Sequence, residues 1–173
     1  MARLRKFVAY RKLERPYTRI SKYKSKSYIK ARPSVKISRF DMGNTKGKFE
    51  YRIYVKAKVS TQIRQEALES ARQTANRVLE SKCGKNMYKM KLLKFPHHIL
   101  RENPLATGAG ADRLSSGMKH SFGKTIGIAA QVFKGESIFY IETDKSNLNW
   151  ALLAAKRISH KIPCKIITDV QKR

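Results

Sequence analysis

The stretch GMKHSFGKT, residues 117–125, contains residue types that bind phosphate. In a nucleotide-binding P-loop, G-x-x-x-x-G-K-[ST], glycine amides cradle phosphates while the lysine and the hydroxyl reach the outer phosphates and Mg²⁺. Gly123, Lys124 and Thr125 match the end of that pattern, but Met118 stands where the first glycine is required. The motif also needs a helix after it, whereas the following IGIAAQVF has the alternation of a strand. The segment therefore predicts phosphate contact without nucleotide hydrolysis; a small phosphotransferase using Lys124 is the enzyme alternative, which an ATP-binding assay tests.

The other chemically reactive residue types form no recognisable catalytic or metal-binding set. Cys83 and Cys164 are far apart in the sequence and make no CxxC pattern, so they predict two free thiols in a reducing compartment. His97 and His98 are adjacent, so on a strand they point to opposite faces and do not readily share a metal. We expect one of them to lie in a sheet face with a hydrogen bond. The sequence predicts no catalytic residue, no metal site and no cofactor.

Charge is the strongest compositional signal. Lys and Arg number 39 against 12 Asp and Glu, which gives a net charge of +27 over 173 residues. A compact domain this basic repels itself unless a polyanion neutralises it, which favours nucleic acid over an anionic membrane surface as the partner. No apolar run approaches the roughly 20 residues that a membrane helix needs, and the N-terminus lacks the apolar stretch of a secretory signal. We expect a cytoplasmic protein with no membrane contact and no homo-oligomer.

Residues 1–34 form a basic arm that contains a single acid, Glu14, and interleaved tyrosines. Pro16 and Pro33 interrupt regular structure, so the arm is expected to be extended or irregular when alone. Its cations are expected to pair with RNA phosphates, and its tyrosines to stack on bases or pack against the RNA. A disordered, solvated tail is the alternative. The predicted RNA-binding residues are Arg3, Arg5, Lys6, Arg11, Lys12, Arg15, Arg19, Lys22, Lys24, Lys26, Lys30 and Arg32, together with Lys124.

The remainder of the single domain is predicted to be α+β, with a largely antiparallel sheet and two amphipathic helices. Period-two alternation predicts strands in VKISRF (35–40), FEYRIYVKAKV (49–59) and MYKMKLLKF (87–95), a short strand in PHHILREN and a last one in IPCKIITDV. IGIAAQVF and ESIFYIET are predicted to form a hairpin around KGE. The expected organisation is the arm, strands with the first helix over 35–101, a glycine-rich loop over 102–125, and the hairpin, second helix and last strand over 126–173.

Apolar residues at three- to four-residue spacing predict the two helices. The first follows Ser60 or Thr61 as N-cap and stops at Gly84. Its outer face of mixed Arg and Glu is expected to be solvated or only partly in contact with RNA. The second follows Ser146, and Trp150 within it is assigned to packing rather than to base stacking. The loop between the two halves lacks periodicity, and a loop this long in a compact domain is usually functional.

Several motifs, in chain order, resemble the archaeal and eukaryotic branch of the large-subunit ribosomal protein sixteen family, also called ribosomal protein ten of the archaeal/eukaryotic type. They are RPYTR, KISRFDMGN, QIRQEALESARQTANRVLE, CGK, FPHHILREN and GAGADRLSSGMKHSFGKTIGIAAQV. The chain ends soon after its last strand, without the extension found in eukaryotes, which favours the archaeal form. The resemblance implies a hammerhead-like β arrangement, a ribosome-bound location, and binding to large-subunit rRNA and to neighbouring large-subunit proteins.

The resemblance also implies a role for the loop. Residues 102–118 match a segment that, in this family, points toward the peptidyl transferase region and the acceptor arm of tRNA near the aminoacyl site. The phosphates implied are therefore those of rRNA and tRNA. The residues expected near tRNA are Arg101, Gly108, Gly110, Asp112, Arg113, Ser115, Ser116, Met118, Lys119 and His120. The alternative is a free basic nucleic-acid-binding or RNA-chaperone protein, which shares the charge but does not need the long loop.

Overall fold

The computed structural model describes residues 4–18, 23, 32–103, 110 and 123–173. Over these residues the chain forms an α+β structure, as predicted, in which every strand pair is antiparallel. The strands are β1 (Asp41–Gly43), β2 (Tyr51–Ala57), β3 (Thr61–Arg64), β4 (Tyr88–Leu92), β5 (His98–Glu102), β6 (Lys124–Val132), β7 (Ser137–Thr143) and β8 (Ile166–Lys172). The helices are α1 (Gln65–Lys82) and α2 (Leu148–Ser159), with short 3₁₀ helices at Phe7–Tyr10 and Lys145–Asn147.

The strands divide between two sheets, a five-stranded one in the order β1-β4-β7-β2-β8 and a three-stranded one in the order β3-β6-β5. The predicted hairpin between β6 and β7 is therefore wrong, because each of these strands has its two partners elsewhere. Their connection instead closes against the end of β2. There Gly135 N donates to Ala57 O at 2.8 Å and Ala57 N donates to Glu136 O at 2.9 Å. These two hydrogen bonds fix the β6–β7 connection to the end of β2, beside the start of β7.

The main core lies between the two helices and the inner face of the five-stranded sheet. The apolar stripes predicted for both helices are the faces that pack there, and their alanines allow a close approach. Each Leu or Ile that is fully buried contributes about 1.5–3 kcal/mol. The fully buried members include Ile53, Val55, Leu68, Ala71, Ala75, Leu79, Phe139, Ile141, Ala151, Ala155 and Ile158. Among the described residues, no helix is both long and apolar enough to cross a membrane.

The predicted start of the first helix is wrong. Thr61–Arg64 form β3 and pair with β6, with Ile63 opposite Ala130, so the helix begins only at Gln65. Ile63 fits the helical spacing in the sequence, but tertiary pairing with a strand far along the chain takes it into the sheet. The predicted end is confirmed: Cys83 follows the helix, and Gly84 has the left-handed φ of +88° that favours glycine there.

The predicted strand over residues 35–40 is also wrong, since the strand begins at Asp41. The segment before it runs along α1 instead. Lys36 N donates to Gln65 Oε1 at 2.8 Å, and Ile37 is buried. The alternation of VKISRF therefore reflects an extended segment with one side packed on the protein and the other facing water. Such a segment shows this pattern without the hydrogen-bond ladder of a strand.

The second helix differs from its prediction in two details. Asn147, rather than Ser146, is the residue that precedes it, because a 3₁₀ turn occupies Lys145–Asn147. Trp150 is not packed in the core, being 39% exposed. The ammonium group of Lys82 lies 5.2 Å from the centroid of the indole ring, a cation–π contact between the end of α1 and the start of α2.

Candidate nucleic-acid interface

The described beginning of the basic arm is fixed to the three-stranded sheet through Gln62 on β3. The Gln62 side chain is 2% exposed, and its Nε2 donates to Tyr10 O at 3.0 Å and to Lys12 O at 2.6 Å. Gln62 N also donates to Arg11 O at 3.2 Å. Tyr10 is buried against the sheet, so this tyrosine packs on protein. This part of the arm is thus more ordered than its composition predicted, and its backbone holds Arg11 and Lys12 at a defined place.

A second contact fixes the arm at the edge of β5. Ile99 N donates to Tyr17 O at 3.0 Å, and Tyr17 N donates to His98 Nδ1 at 2.9 Å. The Arg101 guanidinium lies 3.7 Å from the centroid of the Tyr17 ring. Burial lowers the pKa of His98, which keeps the imidazole neutral with Nδ1 free to accept. The prediction of one histidine in a sheet face with a hydrogen bond is confirmed.

The arm also reaches the point where the glycine-rich loop leaves β5. Arg5 Nε lies 2.5 Å from Glu102 Oε1, and Tyr10 OH donates to Glu102 Oε2 at 3.3 Å. Glu102 pairs with Lys124, so the chain leaves β5 and enters β6 at neighbouring positions. Gly123 has φ +86°, and a Cβ there would lie 2.9 Å from the carbonyl carbon of Glu102. Only glycine fits this junction without strain.

The predicted RNA-binding residues that the structure describes are exposed cations: Arg5, Lys6, Arg11, Lys12, Arg15, Arg32 and Lys124. Arg32 lies over the ring of Phe95, 5.9 Å from its centroid. Arg3, Arg19, Lys22, Lys24, Lys26 and Lys30 lie outside the described residues.

Of the residues predicted to lie near tRNA, the structure describes Arg101, which is half-buried against Tyr17, and Gly110, which has φ +82°. Gly108, Asp112, Arg113, Ser115, Ser116, Met118, Lys119 and His120 lie outside the described residues. Lys124 and Thr125 open strand β6, so the strand predicted after the glycine-rich segment is confirmed, and the helix that a P-loop requires there is replaced by a strand. Among the described residues, no three or more His, Cys, Asp or Glu form a cluster that could hold a metal ion.

One cation on the outer face of α1 was expected to be solvated and is not. Arg72 is 8% exposed, and its Nη2 donates to Glu69 Oε1 at 2.6 Å and to Ser38 Oγ at 2.9 Å. The hydrogen bond from Arg72 lowers the pKa of Glu69 to about 2. Arg72 therefore holds the segment before β1 onto the helix and has little surface to offer a phosphate.

The solvent-facing side of the five-stranded sheet, which we call the outer sheet face, is rich in cations that have acidic partners. Arg52 Nε donates to Glu142 Oε1 at 2.6 Å, and Glu142 is fully buried. Lys56 and Lys91 pair with Asp169 at 2.7 Å and Asp41 at 3.3 Å respectively. Lys89 and Arg173 lie 3.9 and 3.7 Å from the Glu142 carboxylate, and Tyr54 and Tyr140 meet edge to face at the centre.

A different set of four cations meets where the arm lies beside the end of β2 and the start of β8. The sequence predicts only two of them, Arg11 and Lys12, as RNA-binding residues. Lys58 N donates to Lys165 O at 2.9 Å, which joins the end of β2 to the start of β8. Both lysines line a groove with Arg11 and Lys12, and we call it the cation groove. Lys58 and Lys165 were missed because nothing in their local sequence marks them; only strand pairing brings them to the arm.

The chain is similar to ribosomal proteins over nearly its whole length. The sequence model of the family described as Ribosomal protein L16p/L10e matches residues 14–168. Large ribosomal subunit protein uL16 of Methanococcus aeolicus is 43% identical over 167 residues, which are 95% of this chain and 93% of that protein. The uL16 proteins of Methanocella arvoryzae and Archaeoglobus fulgidus are 41% and 42% identical, over 94% of this chain in each case and 95% and 90% of those proteins.

Proposed function

Because this chain belongs to the ribosomal protein L16p/L10e family, we propose that it binds large-subunit rRNA through its uncompensated cations and helps to position tRNA through residues 102–118. As a member of this family it is a protein of the large ribosomal subunit and not an enzyme. The single observation that carries the assignment is the family match over residues 14–168, with similarity to three archaeal relatives that spans nine-tenths or more of each.

The charge distribution supports the rRNA part of the proposal. A net charge of +27 needs a polyanion, and the described arm cations are exposed while the backbone beneath several of them is fixed. Cations held in place lose less conformational entropy on binding than cations on a free tail. Each phosphate contact releases a counterion, so a protein with 6–10 contacts loses roughly 10³–10⁵ in affinity between about 50 and 200 mM salt.

The geometry at the root of the loop supports the tRNA part. Glu102 and Lys124 are paired neighbours, and the arm is bonded to Glu102 through Arg5 and Tyr10. The loop therefore starts and ends at one anchored point beside the RNA-binding arm. Its sequence supplies cations such as Arg113 and Lys119 and a high share of glycine, which allows close approach to a phosphate backbone.

Sedimentation tests the assignment to the large subunit. A native cell lysate is run through a sucrose gradient at moderately high salt, and the protein is detected with an antibody. We expect it to migrate with the large subunit. Migration at the top of the gradient at every salt concentration would instead favour a free nucleic-acid-binding or RNA-chaperone protein.

Substitution in the loop tests the tRNA role separately. Arg113→Ala with Lys119→Ala is compared with Lys156→Ala and Arg157→Ala, a pair of exposed cations on α2 that removes the same charge. Since a charged hydrogen bond contributes about 1.5–3 kcal/mol, we expect the loop variant to weaken aminoacyl-site tRNA binding roughly tenfold or more. Both variants should enter large subunits to the wild-type level. Wild-type tRNA binding by subunits that carry the loop variant would contradict the tRNA role without affecting the rRNA role.

A further inference from the structure

The cation groove is formed by three segments that are distant in the sequence and hydrogen-bonded to one another. It has a volume of about 680 Å³ and lies between the arm, the β2–β3 connection and the start of β8. Besides the bond between Lys58 and Lys165, Thr61 Oγ1 donates to Arg11 O at 3.2 Å. The buried Gln62 side chain binds the carbonyl of Lys12. The walls are therefore built by the fold, and they do not depend on a ligand to bring them together.

Four cations surround this groove: Arg11, Lys12, Lys58 and Lys165. All four are exposed, and no carboxylate lines the groove. In the part of the chain that the structure describes, none of the four is within ion-pair distance of an acid. Unit charges 4 Å apart in water interact by about 1 kcal/mol, so like charges gathered at a groove are unfavourable until an anion enters. The charge pattern selects a ligand that carries several negative charges along its length.

Apolar side chains are exposed in the same groove. Val59 is 55% exposed, Phe7 and Cys164 are half-buried, and Pro163 is exposed beside them. An inorganic anion satisfies the cations but leaves this apolar surface in water. A nucleotide chain satisfies both, because its phosphates reach the rim while a ribose or a base covers the apolar side chains. Stacking of a base on an aromatic ring such as that of Phe7 contributes about 1–3 kcal/mol.

We propose that the cation groove binds a segment of large-subunit rRNA, with Lys58 and Lys165 contacting phosphates on one wall and Arg11 and Lys12 on the other. The inference rests on the proposed function and adds to it two RNA-binding lysines that lie outside the arm and the loop. It also assigns Val59 to the surface that an RNA nucleotide covers.

The test compares two double variants of the full-length protein that remove the same charge. Lys58→Ala with Lys165→Ala empties one wall of the groove. Lys89→Ala with Lys91→Ala removes two lysines from the outer sheet face, where each lies within 4 Å of an acid. Binding to an in vitro transcript of the large-subunit rRNA is measured across a series of salt concentrations, with circular dichroism to confirm that both variants are folded.

The groove variant should bind roughly tenfold more weakly at low salt. The slope of log K against log salt should become shallower by about 2, because two phosphates are no longer neutralised by lysine. The control variant should keep the wild-type slope. Equal slopes for both variants would overturn the inference while leaving rRNA binding intact. Failure of the wild-type protein to bind the transcript in preference to unrelated RNA would instead count against the proposed function itself.

A substitution in the apolar part of the groove gives a second readout. Val59→Asp introduces a negative charge where we place a nucleotide, and Val170→Asp introduces the same charge at a valine on β8 that is 43% exposed. We expect Val59→Asp to weaken rRNA binding more than Val170→Asp does. An acidic segment of a neighbouring protein is the competing occupant. If the groove variants bind rRNA normally but are absent from assembled large subunits, that occupant is indicated and the RNA inference is wrong.

Discussion

The cation groove and the outer sheet face have similar numbers of cations, but only the cations of the outer sheet face have carboxylate partners. The groove gathers four cations with no carboxylate in its lining. The outer sheet face carries five cations and three acids, and every one of its cations lies within 4 Å of a carboxylate. A phosphate that approaches the sheet must compete with these carboxylates, whereas a phosphate in the groove meets cations that have no ion-pair partner among the described residues. We therefore predict that the lack of compensating acids, and not the number of cations, marks an RNA-binding surface in this protein.

The acids of the outer sheet face also stabilise the sheet, a role for which the groove has no equivalent residues. Glu142 is fully buried beneath Arg52, and Arg52 Nη1 donates to Tyr54 OH at 3.0 Å. The guanidinium lies 5.0 Å from the centroid of the Tyr140 ring. Charge on this surface holds strands β2 and β7 together across the sheet.

Glu142→Gln should break the compensation of the outer sheet face and destabilise the fold. Removing one partner of a buried ion pair costs about 3–5 kcal/mol, and we expect a loss of about 3 kcal/mol because the Arg52 side chain is 29% exposed. Chemical denaturation measures the change in the free energy of unfolding. Glu50→Gln, at an exposed acid just before β2, is the control and should change it by less than about 0.5 kcal/mol. Equal changes in the free energy of unfolding for the two substitutions would show that the buried ion pair stabilises the fold no more than an exposed acid does.

Gln62→Ala should loosen the wall of the cation groove. The change leaves the carbonyls of Tyr10 and Lys12 without the side-chain donor that they share, which costs about 1–3 kcal/mol. It also loosens the arm at Tyr10 and Lys12, so the salt slope of rRNA binding should become shallower. Gln171→Ala on β8, whose side chain donates to Asp169 on the same strand, should leave both quantities close to wild type. A wild-type salt slope for Gln62→Ala would mean that the arm binds RNA without needing the hydrogen bonds of the Gln62 side chain.

Acidification should weaken the attachment of the arm through His98. Burial lowers the pKa of His98 below its usual 6.5, so in that range the unfolded chain holds more protons than the folded one. The contribution of neutral His98 to the free energy of unfolding is therefore fully present above about pH 6.5. It is lost as the pH drops from there through the folded-state pKa. We expect this loss in the wild type and in His97→Gln, whose histidine is exposed, but a smaller loss in His98→Gln. Denaturation curves at neutral and mildly acidic pH measure it, and identical pH dependence in the two variants would contradict the prediction.

Removing two acids from the outer sheet face, and no cations, should make this surface more like the cation groove. Asp41→Asn with Asp169→Asn leaves Lys91 and Lys56 without their partners. We expect no resolvable change in stability, because exposed ion pairs contribute little. The freed lysines should increase non-specific RNA affinity and steepen its salt slope by up to about 2. An unchanged slope would show that lack of compensation is not sufficient for a cation to bind phosphate.

Much of the fold was predictable because its signals are local. The alternation that predicts β2, β4 and β5 and the apolar stripes of α1 and α2 reflect a buried and an exposed side, which composition along the chain records. Errors occurred where tertiary pairing decides between two local options. Thr61–Arg64 continues a helical pattern but pairs with β6, and β6 and β7 look like a hairpin but belong to different sheets.

The candidate RNA interface was predictable only in part for the same reason. The density of Arg and Lys in the arm directly predicts Arg11 and Lys12 as RNA-binding residues. Lys58 and Lys165 follow ordinary strand patterns and reach the arm only because β2 and β8 pair side by side. The sequence equally gives no sign that Lys89 and Lys91 are compensated, since their acidic partners come from β7 and β1.

We expect rRNA to lie against the described cations that no acid compensates. Ultraviolet cross-linking of native large subunits, followed by mass spectrometry of the nucleotide-bearing peptides, tests it most directly. We expect cross-links in the peptides that contain Lys58 and Lys165 and in the arm, and none in the peptide that contains Lys89 and Lys91. RNA cross-linked to Lys89 or Lys91, with the groove peptides unmodified, would contradict the account.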